Sequence, residues 1–408
     1  MTRSVLLADC DVFYVQLARI ADPEGAGREP LLIVGGTAAS RGVVCSASYE
    51  VRAFGVRSGM PISRAVRLCP QAMCVPVPRK LCSEKSREVV RVLERFAPEV
   101  QSASPDEAYL ELTTAMDTVY RARTLESIAR DIREAVLAET DIRISLGGGT
   151  NRLVAKLAVE RAKPRPGTDG TGVHIVAAGE EASFVQNFKL ADVPGIGPKF
   201  QARLAKVGWV AVRDVVSHDV TTVQRVAGER SGNWLYDVVR GIDDSVVSSR
   251  PSVKSIGHET TFPRDLSSDD ALRTRLLELT DRAVTDLRHA GYAARTITVR
   301  MKDADFKLRQ SSHTVEQPLA TYQSVAPEVI NLFVRLRRAR RVPARLIGVS
   351  FSGLMAQRRA DEKQLALFEE KRTGGETAKQ RRVAEAVDRL RERLGYDAIS
   401  YGARTKER

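Results

Sequence analysis

The first part of the chain alternates short apolar runs with stretches of helical periodicity. Helical spacing of apolar residues extends over 83–96 and, with an amphipathic pattern, over 125–139. The apolar runs predict strands at 4–7, 30–34, 42–46, 100–104, 108–112 and 142–146. Strands that interleave with helices in this way indicate one α/β domain extending to about residue 165.

The pattern changes at the helix breaker Pro164–Gly167, which predicts a domain boundary. The next block, to about residue 242, is helical with short loops and contains the glycine-rich turn Val193–Lys199. Residues 243–254 are polar and have no periodicity, so we expect a linker there.

Residues 255–354 show a third pattern, in the order strand-helix-strand-strand-helix-strand. The predicted strands and helices are 258–262, 269–289, 295–302, 306–315, 326–337 and 345–353. The apolar face of the first of these helices comprises Leu272, Leu276, Leu279 and Ala283. This order is typical of a ferredoxin-like, or split βαβ, domain.

The remaining residues, 355–408, are mostly polar and charged. They contain one apolar pentapeptide, Gln364–Phe368, followed by a helical pattern. We expect that helix to be amphipathic, with one apolar face made of Val383, Val387, Leu390 and Leu394.

The chain of 408 residues carries a net charge of +13, and the positive charge is spread along its length. This favours a polyanionic partner, with nucleic acid ahead of an anionic membrane, although a merely basic protein stays open at this point. No run of 18 apolar residues occurs, so we expect no membrane span. The N-terminal residues do not follow the pattern of a secretory signal.

The five cysteines are irregularly spaced. Cys69 and Cys74 are too far apart for a C-x-x-C motif, and no histidine lies close to them in sequence, which argues against a zinc site. We therefore expect reduced thiols and a cytoplasmic location.

Acidic residues follow or separate predicted strands at two places. Asp9 and Asp11 come at the end of the first strand, and Asp106 and Glu107 occupy the turn between two later strands. Either pair alone is most simply explained as solvated acids at a strand end. Together, if the strands adjoin, Asp9, Asp106 and Glu107 supply the carboxylates that two metal ions about 3.5–4 Å apart require.

None of the five histidines lies in or beside either acidic motif. A Ser-His-Asp mechanism therefore has no visible centre, and metal-assisted chemistry is favoured. Phosphoryl transfer, which depends on positioning and charge neutralisation, suits such a site.

Aromatic and basic residues complete the candidate site. Phe13 and Tyr14 follow the first acidic motif, and at least one of them can pack on a sugar and exclude a 2′-hydroxyl. Arg52 and Lys163 are candidates for the β- and γ-phosphates of a nucleoside triphosphate. Core aromatics and ordinary surface charges are the simpler alternatives for these residues.

Two further features suggest contacts with a nucleic-acid backbone. The turn containing Gly195, Gly197 and Lys199 resembles a helix-hairpin-helix element, in which backbone N–H groups approach a phosphate. In the predicted hairpin of 295–315, alternation places cations on the face opposite the core, namely Arg300, Lys302, Lys307 and Arg309.

Taken together, these motifs resemble those of Y-family DNA polymerases, of the DNA polymerase IV type. The collinear motifs are ADCDVFY, SASYEVRAFGVRSGMP, SPDEAYLEL, GTNRLVAKLAVERAKP, VPGIGPK and SIGHETTF. The resemblance implies a multidomain α/β (α+β) right hand that carries out low-fidelity, translesion DNA synthesis. Its parts are a palm at 1–10 and 77–165, fingers at 11–76, a helical thumb at 166–242, a linker at 243–254, a ferredoxin-like βαββαβ little finger at 255–354 and a tail at 355–408.

The resemblance also implies residue roles. Asp9 and Asp106 correspond to metal ligands and Glu107 to the third acid of a centre that holds two Mg²⁺ ions, with Mn²⁺ as a possible substitute. Tyr14 corresponds to a sugar-selecting gate, with Phe13 packed near it. The triphosphate of a dNTP is expected to bind Tyr49, Arg52 and Lys163.

The implied partners are primer-template DNA, dNTPs and a sliding clamp, and the protein is expected to act as a monomer. The pentapeptide resembles the clamp-binding peptide of bacterial polymerases, with contacts from Gln364, Leu365, Leu367 and Phe368. It usually lies near the chain end, whereas further residues follow it here.

Two departures from the family pattern stand out. Gln16-Leu17-Ala18 replaces a common Ser-Val-Glu, so an acid is missing, and Gly147-Gly148-Gly149 replaces a commoner Gly-Ile-Ala. We expect Gly148 and Gly149 to loosen the loop before the next helix. Asp11 matches an acid that is not usually counted among the metal ligands.

Two other functions share part of this pattern. A catalytically silent, clamp-tethered adaptor would have lost the acids, whereas this chain keeps Asp9, Asp106 and Glu107 together with Tyr14. A nucleotide cyclase with a palm would lack the glycine-rich turn, the basic C-terminal sheet and the pentapeptide. Both alternatives are therefore less favoured than a polymerase.

Overall fold

The structure is a computed structural model that describes residues 2–37, 41–164, 170–249, 253–356 and 375–401. Its internal contacts divide the chain into two units, Met1–Pro251 and Ser252–Arg408. Within the described residues, no helix is both long and apolar enough to cross a membrane.

A five-stranded sheet forms the centre of the first unit. Its strands are β1 (Val5–Cys10), β5 (Glu99–Ser102), β6 (Glu107–Glu111), β7 (Ile144–Gly149) and β8 (Val173–Ile175). The order is β5-β6-β1-β7-β8, and only the β7–β8 pair is parallel among these described strands. The predicted acidic motifs therefore lie on adjacent strands, because β1 pairs directly with β6.

Helices cover both faces of this sheet, because successive side chains of a strand point to opposite sides. The helices of this region are α4 (Arg79–Leu93), α5 (Thr113–Thr118), α6 (Leu125–Thr140) and α7 (Arg152–Ala162). Leu6 and Ala8 of β1 join the apolar core formed with α4 and α6. Val5 and Leu7 pack instead with residues of α7. The strand that carries Asp9 is thus buried on both faces.

The three glycines of β7 belong to the strand, and the expectation of a loosened loop is wrong. The strand was predicted to end at Leu146, but it continues to Gly149 and is fully buried. A Cβ atom on Gly147 would lie 2.1 Å from the backbone nitrogen of Val159, and one on Gly148 would lie 2.6 Å from Leu6 Cδ2. The glycines therefore allow α7 and the strand side chains to pack closely against β7.

A smaller sheet lies in the region predicted as fingers. Its strands, in the order β3-β2-β4, are β2 (Leu32–Gly35), β3 (Val44–Ala47) and β4 (Met73–Pro76), and its helices are α1 (Phe13–Ala21), α2 (Tyr49–Ala53) and α3 (Ile62–Leu68). Phe13 and Tyr14 begin α1 rather than extending a strand as expected. Val12 turns the chain between β1 and α1 in the left-handed region, at φ 43°, a costly conformation for a β-branched residue.

The block predicted as helical begins with β8, which pairs with β7, and is helical from Glu181 onwards. Its helices are α8 (Glu181–Val185), α9 (Pro198–Ala205), α10 (Val212–Val216), α11 (Val220–Ala227) and α12 (Glu229–Val238), with a 3₁₀ turn at Leu190–Asp192. Gly195 has a φ of 92°, and a Cβ atom there would lie 2.8 Å from the Trp234 ring. Glycine is therefore required at this turn.

The first part of the predicted linker is not free of contacts. Val247 is 8% exposed and packs with Val5 and Leu7. The backbone N–H groups of Ser248 and Ser249 donate to side chains of β5, with the Ser248 bond to Gln101 at 3.1 Å. One buried residue among polar ones leaves no periodicity, so the sequence pattern does not reveal that this segment is bound to the sheet.

The second unit has the predicted βαββαβ order. Its elements are β9 (Ser255–Leu266), α13 (Asp269–His289), β10 (Tyr292–Asp303), β11 (Leu308–Leu319), α14 (Tyr322–Ala339) and β12 (Ala344–Ala356). The sheet order is β11-β10-β12-β9, and each of these pairs is antiparallel. The predicted apolar face of α13 is buried against the sheet, which confirms that part of the prediction.

The boundaries of this unit shift where proline and a tight turn intervene. Helix α14 begins at Tyr322, four residues before its predicted start, and accommodates Pro327 in its N-terminal half. As the sixth residue of the helix, Pro327 lies beyond the first turn and lacks the N–H that would bond to the carbonyl four residues earlier. Phe306 lies in the turn between β10 and β11 with a φ of 66°, so β11 begins at Leu308 rather than at 306.

The C-terminal helix exists, but its predicted apolar face is wrong. Helix α15 (Ala378–Leu394) leaves Val383, Leu390 and Leu394 exposed. Its buried positions are Ala384, Val387, Asp388 and Arg391. The face that docks on the second unit is therefore partly charged, which a search for apolar periodicity does not detect.

Candidate active site

The three predicted acids lie at one end of the central sheet. Asp9 is opposite Glu107 in the β1–β6 pairing, so their side chains are on the same face. The backbone N–H of Cys10 donates to the carbonyl of Asp106 at 2.9 Å, which holds the acidic turn against the end of β1. The alternation of β1 places Asp9 on the side of Val5 and Leu7, which is the side covered by α7.

The pKa of the Cys10 thiol indicates that several acids lie close to this strand end. Its pKa is raised well above its usual value, first by burial and then by the charges of Asp9, Asp106, Asp11 and Glu107. The effect of Asp106 on this pKa indicates that Asp106 lies near the other acids, although its own carboxylate accepts a hydrogen bond from Ser104 Oγ. The candidate site therefore concentrates negative charge around a buried strand end.

Two lysines meet this charge, Lys156 within α7 and Lys163 at its C-cap. Lys163 Nζ lies 2.9 Å from Asp9 Oδ2 and 2.8 Å from Glu160 Oε1. Lys156 Nζ donates to Glu107 Oε1 and lies 3.7 Å from Asp9 Oδ2. The helix thus supplies counter-charges to two of the three predicted metal ligands.

Burial and charge act in opposite directions on these groups. Burial raises the pKa of Asp9 to about 6, although Lys163 and Lys156 both act to lower it. For Lys163, burial acts to lower the pKa, but the charges of Asp9 and Glu160 raise it above its usual range. The pKa of Lys156 is likewise raised, because Glu107 and Asp9 outweigh burial. Both lysines are therefore cationic, and burial outweighs their combined effect on the pKa of Asp9.

The donor set suits a hard divalent cation, which prefers carboxylate oxygens. No group of three histidine, cysteine or acidic side chains among the described residues converges into a ready-made metal cage. The reason lies in the contacts above: Glu107 and Asp9 bind lysine ammonium groups. The residues fit a metal centre, provided that the lysines yield to the cation.

Asp11 is buried but engaged elsewhere. Its Oδ1 accepts a hydrogen bond from Ser145 Oγ at 2.8 Å, and its N–H donates to the carbonyl of Arg143 at 3.0 Å. Gln16, at the position of the departure from the family pattern, donates to the carbonyl of Asp11 at 2.6 Å. These contacts fix the turn that follows β1.

Phe13 is part of the apolar core, whereas Tyr14 lies at the candidate site. Phe13 is 1% exposed and belongs to the main apolar core, whereas Tyr14 is half-buried and packs edge-on against it at 5.5 Å. The Tyr14 pKa is raised by burial and then by the charge of Asp106, which places its hydroxyl near that acid. Tyr14 is thus the aromatic residue at the edge of the acidic site.

Of the predicted triphosphate residues, Tyr49 lines a cavity of the first unit. The Arg52 guanidinium lies 5.4 Å from the centre of the Tyr49 ring, and both residues belong to α2. A cavity of about 520 Å³ is lined by Tyr49, by Asp11 and by Pro164, the residue after Lys163. Arg52 belongs to α2 and Lys163 directly follows α7, so the two cations come from different elements of the first unit.

The candidate nucleic-acid contacts of the helical block lie at the start of α9. Gly197 is the N-cap of this helix, Gly195 lies in the preceding turn, and Lys199 is exposed in its first turn. The partial positive charge of the helix N-terminus and the Lys199 ammonium therefore lie together at the surface.

The sheet of the second unit only partly matches the predicted cationic strip. Arg300 is exposed on the face opposite the buried Val299, while Lys302 is half-buried on that same face and Lys307 lies in the exposed turn. The prediction for Arg309 is wrong. Arg309 is opposite Met301 in the pairing, and it bonds to the buried Asp303 at 2.7 Å.

Hydroxyl groups, rather than cations, fill much of that open face. Thr296 pairs with Thr314, and Thr298 with Ser312, each through a hydrogen bond of 2.9 Å. Strand alternation could have revealed these residues, but the sequence analysis considered only the charged ones.

Lys156 was also missed, although its spacing of seven residues from Lys163 puts both on one face of α7.

The predicted clamp contacts, Gln364, Leu365, Leu367 and Phe368, lie outside the described residues.

Family models match the chain in three places. Residues 8–160 match the impB/mucB/samB family, residues 253–367 match the C-terminal domain of that family, and residues 191–243 match the thumb domain of DNA polymerase-iota.

Known proteins resemble the chain over nearly its whole length. A DNA polymerase IV of Dehalococcoides mccartyi is 31% identical over 400 residues, which is 98% of this chain and 97% of that protein. A DNA polymerase IV of Methanoculleus marisnigri is 35% identical over 86% of this chain and 95% of its own length. Among solved structures, a Y-family DNA polymerase chimera of Dbh and Dpo4 matches with a TM-score of 0.75 at 23% identity, covering 86% of this chain and 99% of that chain.

Proposed function

Because the chain belongs to the Y family of DNA polymerases, and so is a DNA-directed DNA polymerase of translesion synthesis, we propose that Asp9, Asp106 and Glu107 form its catalytic metal centre. The observation that carries this proposal is the meeting of three carboxylates at the paired ends of β1 and β6. Nothing favours the catalytically silent adaptor, since all three acids are present.

We propose two Mg²⁺ ions, replaceable by Mn²⁺, as the cofactors of this centre. Bound there, they would neutralise charge on the phosphates and activate the primer 3′-hydroxyl. The contribution of the chain is to hold the carboxylates at a buried strand end, where Asp9 is 5% exposed. A fixed, partly desolvated site avoids reorganisation when charge develops during the reaction.

Lys163, Arg52 and Tyr49 are proposed to receive the triphosphate of the dNTP. In the structure Lys163 is held by Asp9 and Glu160, so its ammonium is already near the acids. Arg52 offers a planar fork suited to phosphate oxygens, and its stacking on Tyr49 limits its motion. Together these groups would orient the α-phosphate towards the metal centre.

Tyr14 is proposed to select deoxyribose. Its ring is held by the fully buried Phe13, which supports the gate without lining the site itself. A rigid ring at this point would exclude a 2′-hydroxyl by volume.

The domain boundaries of the right hand are proposed as expected from the sequence, with one refinement. The fingers (11–76) and the little finger (255–354) each contain a sheet of their own, and the thumb (166–242) contains the helical block. The sheet of the palm (1–10 and 77–165) also includes β8 (Val173–Ile175), which lies within the proposed thumb range. The linker is proposed to begin after Ser249, because 243–249 bind along the palm.

Primer-template DNA is proposed to contact the thumb at Gly195, Gly197 and Lys199, and the little finger at Arg300, Lys302 and Lys307. The support is the helix N-terminus at α9 and the exposed cations beside the hydroxyl-rich sheet face. Such contacts are to the backbone and carry no sequence information, which suits an enzyme that acts at any primer end.

We also propose that Gln364–Phe368 binds a sliding clamp, that the enzyme works as a monomer, and that it acts in the cytoplasm. The pentapeptide places three large apolar residues in a polar stretch of the sequence, the kind of anchors that a partner pocket binds. All five cysteines are free thiols, as in a reducing compartment.

Primer extension tests the proposed chemistry. The protein, a primer-template and dNTPs should yield no product with a chelator, and product with Mg²⁺ or Mn²⁺, including past a damaged template base. The single-turnover rate should rise with the square of Mg²⁺ concentration at low concentration, as two ions require. Extension that persists in chelator would refute the metal centre.

A further inference from the structure

The most informative contact outside the proposed residue roles is that of Lys156. Its ammonium bonds to Glu107 Oε1 and lies 3.7 Å from Asp9 Oδ2. It therefore stands between two carboxylates that are directly opposite each other in the β1–β6 pairing. A divalent cation bridging these two acids would need the same position.

The packing of α7 against β6 places Lys156 at that position. Arg152 lies over the Tyr109 ring at 4.3 Å, and Lys156, four residues later on the helix, reaches Glu107, two residues earlier on the strand. Four helical residues rise about 6 Å and two strand residues about 6.8 Å, so the two steps are similar in length. The placement of the ammonium is thus set by the packing of a buried helix.

The pair does not have the character of a structural ion pair. The side chains of Lys156 and Glu107 are 23% and 26% exposed, and Lys156 makes a single contact to Glu107. A lysine ammonium is a point charge that can move between oxygen ligands, unlike an arginine fork bound to both oxygens of a carboxylate. An opening to solvent at this point is also what an entering cation requires.

Like charges a few ångströms apart repel strongly where solvent is scarce. A divalent cation bound by Asp9 and Glu107 would face the Lys156 ammonium at close range. The cation and the ammonium therefore cannot both occupy the space between these carboxylates.

We propose that Lys156 is the resident counter-ion of the metal centre: it holds Glu107 and Asp9 in the free enzyme, and a divalent cation must displace it. Lys156 is then a positioning residue that keeps the acids together before the metal arrives and weakens metal affinity in the free enzyme. The inference rests on the proposed function, because it takes Asp9 and Glu107 as metal ligands.

The test compares Mn²⁺ binding, measured by electron paramagnetic resonance of the free ion, in the full-length protein without nucleotide. Lys156→Met and Lys156→Gln remove the charge, and both should bind Mn²⁺ roughly tenfold more tightly than the parent. Lys156→Arg keeps the charge and should stay within about twofold of the parent.

Lys85→Met is the matched control. Lys85 is also partly buried, at 17% side-chain exposure, and pairs with Glu88 at 2.9 Å on α4. Its replacement should leave Mn²⁺ affinity unchanged. If Lys156 were only structural, the neutral variants would loosen the site and bind Mn²⁺ more weakly.

Thermal unfolding gives a second readout that does not depend on activity. The midpoint of the neutral variants should rise more on adding Mn²⁺ than that of the parent, because tighter binding to the folded state gives greater stabilisation. Equal or weaker Mn²⁺ binding by folded Lys156→Met and Lys156→Gln would overturn the proposal.

Variants of the acids distinguish failure of the proposed metal centre from failure of the counter-ion role of Lys156. If Glu107→Gln and Asp106→Asn bind Mn²⁺ as the parent does, the proposed metal centre itself is wrong. If those variants lose Mn²⁺ while the neutral Lys156 variants match the parent, only the counter-ion role is wrong.

Discussion

Two charge networks of this protein look alike in sequence but differ in geometry. In the palm, Lys156 and Lys163 meet Glu107 and Asp9 through single contacts. At the C-terminal helix, Arg391 binds Asp281 with two nitrogens, at 2.9 and 2.6 Å. The second network is almost fully enclosed, since the side chains of Arg391 and Asp281 are 3% and 8% exposed.

The difference indicates different roles. An arginine fork bound to both oxygens of a buried carboxylate fixes one geometry and gives up its partner only at high cost. A lysine ammonium is a point charge that can move from one oxygen ligand to another. We therefore expect the palm network to exchange its cations for metal ions, and the network of α15 to hold a helix in place.

The largest effect should come from breaking the palm site without breaking the fold. Asp106→Ala should lower the single-turnover rate of nucleotide incorporation by a thousandfold or more, roughly 4 kcal/mol. The melting temperature and DNA affinity should stay near those of the parent, because the DNA contacts are elsewhere. Asp117→Ala, at an exposed palm acid, is the control and should be fully active.

Disrupting the Arg391–Asp281 network should instead reduce the stability of the second unit. Arg391→Ala leaves Asp281 buried without its partner and should cost roughly 3–5 kcal/mol of the stability of the second unit, measured by urea unfolding. Arg389→Ala, on the exposed side of the same helix, should cost less than about 0.5 kcal/mol. An Arg391→Ala protein as stable as the Arg389→Ala protein would show that α15 contributes no docking energy.

Tyr14 belongs to neither network, so its loss should change selectivity rather than rate or stability. Tyr14→Ala should reduce the preference for dNTPs over rNTPs by about a hundredfold in kcat/KM, since a volume restriction is removed. Phe13→Leu serves as comparison: it alters the buried support and should shift the ratio much less. An unchanged ratio in Tyr14→Ala would mean that another residue is the gate.

The smallest effect is expected from replacing cations that belong to neither of the two charge networks. Reversing Arg300 and Lys302 to Glu should weaken binding to all primer-templates alike, and should reduce the slope of log K against log salt by about 0.9 for each DNA phosphate that the protein no longer neutralises. Arg338→Glu, on the helical side of the same unit, should leave that slope unchanged. Weaker binding limited to certain sequences would indicate base recognition instead.

The sequence predicted the order of elements well because the β strands and α13 bury faces of regular period. It also brought Asp9, Asp106 and Glu107 together, since acids between apolar strands have few other placements. It failed at two short segments. Arg309 binds the buried Asp303 instead of facing solvent, and Val247, Ser248 and Ser249 attach the start of the predicted linker to the first unit.

The C-terminal helix shows a second limit. Its apolar positions follow a helical period, yet the buried face combines Ala384 and Val387 with Asp388 and Arg391. The energy of that face comes from partners on α13, Arg288 and Asp281, about a hundred residues away in sequence. Periodicity within a segment carries no information about such partners, so the wrong face was chosen.

The most direct test of this account counts metal ions in a complex that cannot react. The protein is bound to a primer-template ending in a dideoxynucleotide and to the next dNTP, and bound Mn²⁺ is measured by electron paramagnetic resonance. We expect two Mn²⁺ ions per complex beyond any bound to DNA and dNTP alone, and the loss of at least one in Asp106→Ala and in Glu107→Ala at intact DNA affinity. The same count in both variants and the parent would contradict the claim that these carboxylates form the catalytic centre.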